Sequence, residues 1–289
     1  MAKKTAPVHS IRDALKVDPD EVDLTKIDPA ATPVGPQSKS EAAADIETVG
    51  AELDELQEGL YAEGVGGGRR RVLVVLQGMD TSGKGGTIRH VAGLVNPQGL
   101  HIVSFKKPTR TELAHDFLWR IRRQVPGPGY IGFFDRSHYE DVLVPRVDKL
   151  VPAPTWRARY KQINDFEAEL SEQGVTILKC FLHISPERQK ERLVARLENP
   201  KKRWKYDPYD LTVRAKWSQY QQAYTDALAK CSTQVAPWYA VPSDRKWYRN
   251  WAVAQLLLQT LRDVAPTYPE PQYDPAAELA RLIEADPLR

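Results

Sequence analysis

Cysteine is scarce in this sequence: among 289 residues there are two, Cys180 and Cys231. Two thiols cannot build a disulfide framework, and Cys180 lies in an apolar run, where a buried thiol is the ordinary role. A reducing, cytoplasmic setting is the expectation. Also missing is any apolar stretch approaching the ~20 residues of a membrane span. The opening MAKKTAPVHSIRDALKV has no apolar signal core, so a soluble protein is expected. A large excess of charge of one sign is absent too, since 41 Lys and Arg stand against 38 Asp and Glu for a net +3. Near neutrality argues against a chain devoted to nucleic acid.

The positive charge that is present comes in clusters: Arg69 to Arg71, Lys106-Lys107-Arg110, Arg120-Arg122-Arg123, Arg188 to Arg196, and Lys201 to Lys205. Any one of them can be a solvated face. Several beside a phosphate site would suit a long polyanion. The apolar fraction of 42% is enough for one large core.

The stretch around which the rest is organised is Arg71 to Thr87, RVLVVLQGMDTSGKGGT. A β-branched, apolar run leads into glycines at 78, 83, 85 and 86 and a single lysine, Lys84. Gly78, four residues, then Gly83-Lys84 is the spacing of a phosphate-binding loop, in which glycines let backbone N–H groups curl around an anion. The helix expected to follow would aim its N-terminal dipole at that anion. A Gly-rich strand-to-helix turn without a ligand is the bland alternative. In the usual loop the residue after the lysine is Ser or Thr, whose hydroxyl holds magnesium, whereas this chain has Gly85 and its Thr87 comes too late. Magnesium then needs carboxylates, and Asp80, inside the loop, is the first candidate. Asp is also at home in turns.

Taken in order, residues 1–40 read as an extended or disordered N-terminal arm, followed by a domain over 41–265 and a C-terminal tail over 266–289. Apolar residues from Ala42 to Leu60 recur at three and four, predicting a helix from Ser40 to about Glu63. Strands are expected at 71–77, 100–105, 130–135, 175–184 and 238–241. Helices are expected after the loop, over about 111–125 from a Thr109–Glu112 capping box, and at 155–173, 186–199, 210–230, 245–264 and 276–284. Strands alternating with helices imply an α/β fold with a five-stranded parallel sheet flanked by helices.

In such sheets ligands bind at the carboxyl ends of strands, so Asp135, ending the run YIGFFD, should converge with the loop. It reads as the second, magnesium-binding carboxylate, or as a plain turn or cap residue. Arg136 beside it can stabilise charge on a transferred phosphoryl group, or simply pair with a carboxylate. Asp80 or Asp135 could equally orient an attacking acceptor. Lys202 and Arg203, between two predicted helices, have the position of a lid that closes over phosphates, and would look the same in a solvated helix end.

Four segments in order, GMDTSGKGGT at 78–87, FDRSHYEDV at 134–142, KRWKYDPYD at 202–210 and APWYAVPSDRKWYRN at 236–250, together resemble the polyphosphate kinase 2 family over roughly residues 40–265. The resemblance implies a P-loop kinase-like three-layer fold with a helical lid at about 200–215. It also implies a phosphotransferase that moves a terminal phosphate between inorganic polyphosphate and AMP or ADP with Mg2+. Asp80, Lys84, Asp135 and Arg136 form the implied catalytic centre, with Asp80 and Asp135 as metal ligands. The expected phosphate- and nucleotide-binding set is Gly78, Thr81, Ser82, Gly83, Gly85, Gly86, Thr87, Lys106, Glu140, Arg146, Lys202 and Arg203. Glu140 resembles the branch acting on both AMP and ADP. Expected partners are polyphosphate and adenine or guanine nucleotides, without nucleic acid or membrane, in a dimer or tetramer. An ATP-dependent kinase and a non-enzymatic nucleic-acid binder are the competing readings.

Overall fold

The five apolar runs are strands: β1 Arg71–Gln77, β2 Leu100–Ser104, β3 Ile131–Asp135, β4 Val175–His183 and β5 Trp238–Pro242. The chain is described by a computed structural model covering residues 10–285 and Leu288. All four strand pairings are parallel, in the order β2-β3-β1-β4-β5. The loop-bearing β1 therefore sits centrally, and register puts Leu76 opposite Asp135 of β3. The two expected to converge are brought to one end of neighbouring strands.

Helices cover both faces. In chain order they are α1 Ile11–Leu15, α2 Lys39–Val65, α3 Lys84–Val91, α4 Arg110–Leu113, α5 Trp119–Arg122 and α6 Glu140–Val147. Then come α7 Ala153–Glu172, α8 Pro186–Glu198, α9 Tyr209–Ala215, α10 Trp217–Cys231, α11 Lys246–Val264 and α12 Pro275–Glu284. Alternation along β1 sends Val72, Val74 and Leu76 into a core with α2, α3 and α11. Leu73 and Val75 go into a second core with α6, α7 and α10. Burial on both faces is why β1 reads as a continuous apolar run. Among the described residues no helix is long and apolar enough to cross a membrane.

Three local readings are corrected. The capping box at Thr109 forms, but the helix it starts ends at Leu113 rather than near Val125, and α5 begins separately. The Asp116 side chain accepts from Leu118 N–H at 3.0 Å, an Asx turn that competes with helix continuation. The expected helix over 210–230 is broken at Lys216 into α9 and α10. Helix α6 was not anticipated, because Pro145 lies inside it. A proline leaves the carbonyl four residues earlier without its helical donor. Here that carbonyl, on Asp141, accepts from Arg159 Nη1 at 2.7 Å.

The described part of the N-terminal segment is not a loose arm. Ile11, Leu15, Val17 and Leu24 are buried, Lys16 bridges Tyr239 antiparallel, and Val17 N–H donates to Trp238 C=O at 2.9 Å. Further along, Ile27 C=O meets His183 Nε2 at 3.1 Å. Residues 1–9 lie outside the described residues. At the other end, α12 forms where expected and buries none of its residues.

Candidate active site

The turn out of β1 is built from backbone that only glycine takes easily. Gly78 has φ 149° and Gly83 φ 112°. A Cβ at Gly83 would sit 1.8 Å from Arg249 Nη1, and one at Gly78 would sit 2.6 Å from Leu182 C=O, so both positions are closed to other residues. Thr81, at φ 63°, adopts the left-handed region as a non-glycine, a strain that folds keep at functional turns. Two arginines hold the loop from outside. Arg192 Nη1 donates to Thr81 C=O (2.8 Å) and Ser82 C=O (3.1 Å), and Arg249 Nη1 donates to Ser82 C=O (3.0 Å). Fixing these carbonyls fixes their planar peptide units, and with them the direction of the next amides.

Inside the loop, the hydroxyls of Thr81, Ser82 and Thr87 are buried without a hydrogen-bond partner. Buried polar groups are ordinarily satisfied, so three orphans around one phosphate-type loop fit an oxygen-rich anion. Lys84 is buried, and its Nζ donates to Gly78 C=O at 2.8 Å and reaches Met79 C=O at 3.5 Å. An ammonium has three N–H groups, which leaves one for a ligand. Burial, followed by repulsion from Arg136, pulls the Lys84 amine below its ordinary value, against the attraction of Asp135, Asp80 and Glu140.

Across the loop stands the segment that leaves β3. Arg136 Nη2 donates to Asp80 Oδ1 at 2.8 Å. Desolvation alone would raise the Asp80 carboxyl, but Lys84 and Arg136 outweigh it and hold the group below its usual range. Arg136 itself is at φ 65°, the second strained non-glycine of the site. An Asp135 Oδ2 lies 3.6 Å from where a Cβ would stand on Gly85. The carboxylate thus faces the place where a Ser or Thr side chain would begin, so the missing hydroxyl is matched by an oxygen from the neighbouring strand. Among the described residues no three His, Cys, Asp or Glu side chains form a ready metal cage. A divalent metal held by one or two carboxylates and the substrate's phosphates needs none.

Glu140 opens α6 and accepts from the Gln77 amide at 3.0 Å when that amide is oriented to satisfy both its ends. Burial pushes its carboxyl above the ordinary value against the pull of Arg136 and Lys84. A raised acid favours folding below its ordinary range and costs stability once pH passes the raised value. Glu140→Gln is therefore expected to raise Tm by a few degrees at pH 8, with the gain vanishing near pH 4, as differential scanning fluorimetry across pH would read.

The remaining sequence-predicted residues divide. Lys106 follows Phe105, whose N–H donates to Asp135 C=O at 3.0 Å, so it lies at the site's edge with its side chain exposed. Lys202 and Arg203 lie in the 199–208 segment after α8. Arg203 Nε donates to Leu197 C=O at 2.8 Å, while the charge of Lys202 bears on Lys246 at the start of α11. Helix α9 is fastened by Asp148, which takes Tyr209 Oη at 2.8 Å and Lys216 Nζ at 2.6 Å. Arg146 is committed elsewhere: it pairs with Asp226 at 2.6 Å and stacks on Trp156 at 4.7 Å, tying α6 to α10 and α7. Reading the sequence missed Arg249 and Lys246, although both lie in the 236–250 segment, and treated Arg192 only as one of a cluster.

A central parallel strand ending in a phosphate loop, with an acidic residue delivered by the next strand, defines a P-loop kinase-like α/β protein. Residues 36–268 match the family model for polyphosphate kinase 2. The chain is 48% identical to an AMP/ADP-polyphosphate phosphotransferase of Meiothermus ruber over 258 residues, 89% of this chain and 95% of that protein. It is 40% identical to an ADP-polyphosphate phosphotransferase of Rhodopseudomonas palustris, over 87% of this chain and 89% of that one. The crystal structure of polyphosphate kinase 2 from Arthrobacter aurescens superimposes with a TM-score of 0.93 at 47% identity, covering 96% of this chain and 98% of the other. The chain belongs to the polyphosphate kinase 2 family.

Proposed function

We propose that this protein transfers the terminal phosphate of inorganic polyphosphate to AMP and ADP, reversibly and with Mg2+. The observation that carries the reading is a crowd of like charges beside the loop. The Lys246 amine is pulled below its ordinary value first by burial and then by Arg192, Lys202, Arg249 and Arg188. Of these five cations only Arg188 has a carboxylate partner among the described ion pairs, Glu191. Five cations offset nearby only by Asp244 and Glu191 suit a chain of phosphates, which supplies one negative charge after another along a groove. The named relatives are an AMP/ADP-polyphosphate and an ADP-polyphosphate phosphotransferase.

In this reading the loop amides, the third N–H of Lys84 and the orphaned Thr81, Ser82 and Thr87 hydroxyls bind phosphate oxygens. Arg136 neutralises charge developing on the transferred group, which is what phosphoryl transfer chiefly requires of a protein. Asp80 and Asp135 would hold the metal, whose charge would offset that of the phosphates. Lys106, Lys202 and Arg203 extend the positive wall, and Glu140 borders the acceptor. The same reading carries assembly into dimers or tetramers, which light scattering measures.

Incubation with AMP or ADP, polyphosphate and Mg2+ in the absence of ATP is expected to yield ADP and ATP. No higher nucleotide, with turnover restored only by ATP as donor, would leave an ordinary nucleotide kinase. GMP and GDP in the same assay report whether guanine is accepted.

A further inference from the structure

Behind the site lies a charged cluster that the chemistry above does not use. Lys179 points from the middle of β4 into the core beside α7 and α10, and Glu167 comes from α7 to meet it; both side chains are fully buried. Lys179 Nζ has three acceptors: Glu167 Oε2 at 2.6 Å, Tyr139 Oη at 2.8 Å and Cys231 C=O at 2.6 Å. Three acceptors match the three N–H groups of an ammonium. Tyr139 Oη in turn donates to Glu167 Oε1 at 2.9 Å, and His138 Nε2 lies 3.1 Å from the same oxygen.

The members come from elements that matter to the site. His138 and Tyr139, each 1% exposed, are the two residues between Arg136 and Glu140 that turn inward with Ser137. Arg136 and Glu140, on either side, turn toward the loop. Cys231 is the last residue of α10, whose first turn follows α9 across Lys216. Arg136 also holds a left-handed φ, a conformation that persists only where surrounding contacts over-determine it. A buried ion pair contributes little net stability compared with well-packed apolar side chains, so the cluster calls for another explanation than folding energy.

We propose that the Lys179–Glu167–His138–Tyr139 network is a positioning device for phosphoryl transfer. It clamps residues 136–140 from beneath, keeps Arg136 and Glu140 in register with the phosphate loop, and joins that segment to the end of α10. The inference rests on the phosphotransferase reading, and its test separates the two.

Tyr139→Phe removes one hydroxyl and leaves the ring against Trp238. Its kcat is expected to fall about 10-fold, as when a supporting partner of a site residue is lost, with KM for nucleotide and polyphosphate within about 2-fold. Amides 136–140 should exchange hydrogen faster while those of α7 and β4 stay as in the wild type. The double variant Lys179→Met with Glu167→Gln removes the ion pair while keeping volume, and should fold with the same loss of kcat. Wild-type kcat and unchanged exchange at 136–140 in Tyr139→Phe, with only Tm lowered, would overturn the proposal. Wild-type kcat in a folded double variant would do the same. If the wild type itself fails to use polyphosphate, the functional reading falls, and the exchange measurement still decides the network.

Discussion

Asp135→Asn is expected to lower kcat by about 10³-fold or more while Tm stays within a few degrees of the wild type. Asn keeps the size of the side chain and its place at the end of β3, and loses only the charge. That charge faces Gly85 across 3.6 Å to a notional Cβ, where the loop lacks its hydroxyl. In the proposed reading a hard divalent cation would thereby lose one of the two carboxylates assigned to it. The concentration of Mg2+ needed for half-maximal turnover should rise as well, which distinguishes loss of a metal ligand from loss of a general base. Retention of a tenth of wild-type kcat at unchanged Mg2+ demand would remove Asp135 from the centre.

Lys84→Met is expected to cost at least as much, again about 10³-fold or more in kcat, with Tm unchanged or higher. Methionine matches much of the lysine stem but carries no charge. The ammonium of Lys84 is held in a buried place that opposes it, as the downward pull on its amine shows. Asp135, Asp80 and Glu140 offset that burial only in part, so folding gains little from the charge and an anion in the loop supplies the remainder. Turnover and Tm measured on one preparation would show whether activity and stability move apart. A variant that lost both together would point to a structural lysine.

Much of this was readable from residue order. Strand positions followed from uninterrupted apolar runs, which parallel sheets covered on both faces produce, and Gly78 and Gly83 announced a turn that only glycines close. Asp135 was found because it ends such a run. The order of the strands, β2-β3-β1-β4-β5, was not legible, since nothing local distinguishes a central strand from its neighbour. The rest depends on partners distant in the chain. Arg192 and Arg249 reach the loop from 110 and 167 positions away, and in sequence they look like two more surface cations. Lys179, in contrast, left a trace: a charged residue in VTILKCFLHI needs a buried partner, though not one that could be named. The N-terminal segment misled because Ile11 and Leu15 share a face of a helix only five residues long, and Val17 and Leu24 enter the other core from outside any helix or strand, too short a run to show a sustained period.

That segment bears on where the gene is cut for expression. The family match starts at residue 36, an inviting place to begin a shortened version. Yet Lys16 and Val17 are what meets the outer rim of β5, and a bare strand rim recruits the rims of other molecules. A chain begun at the homology limit would carry its whole catalytic apparatus and clump. Purification tags belong ahead of Ser10, with everything after it kept.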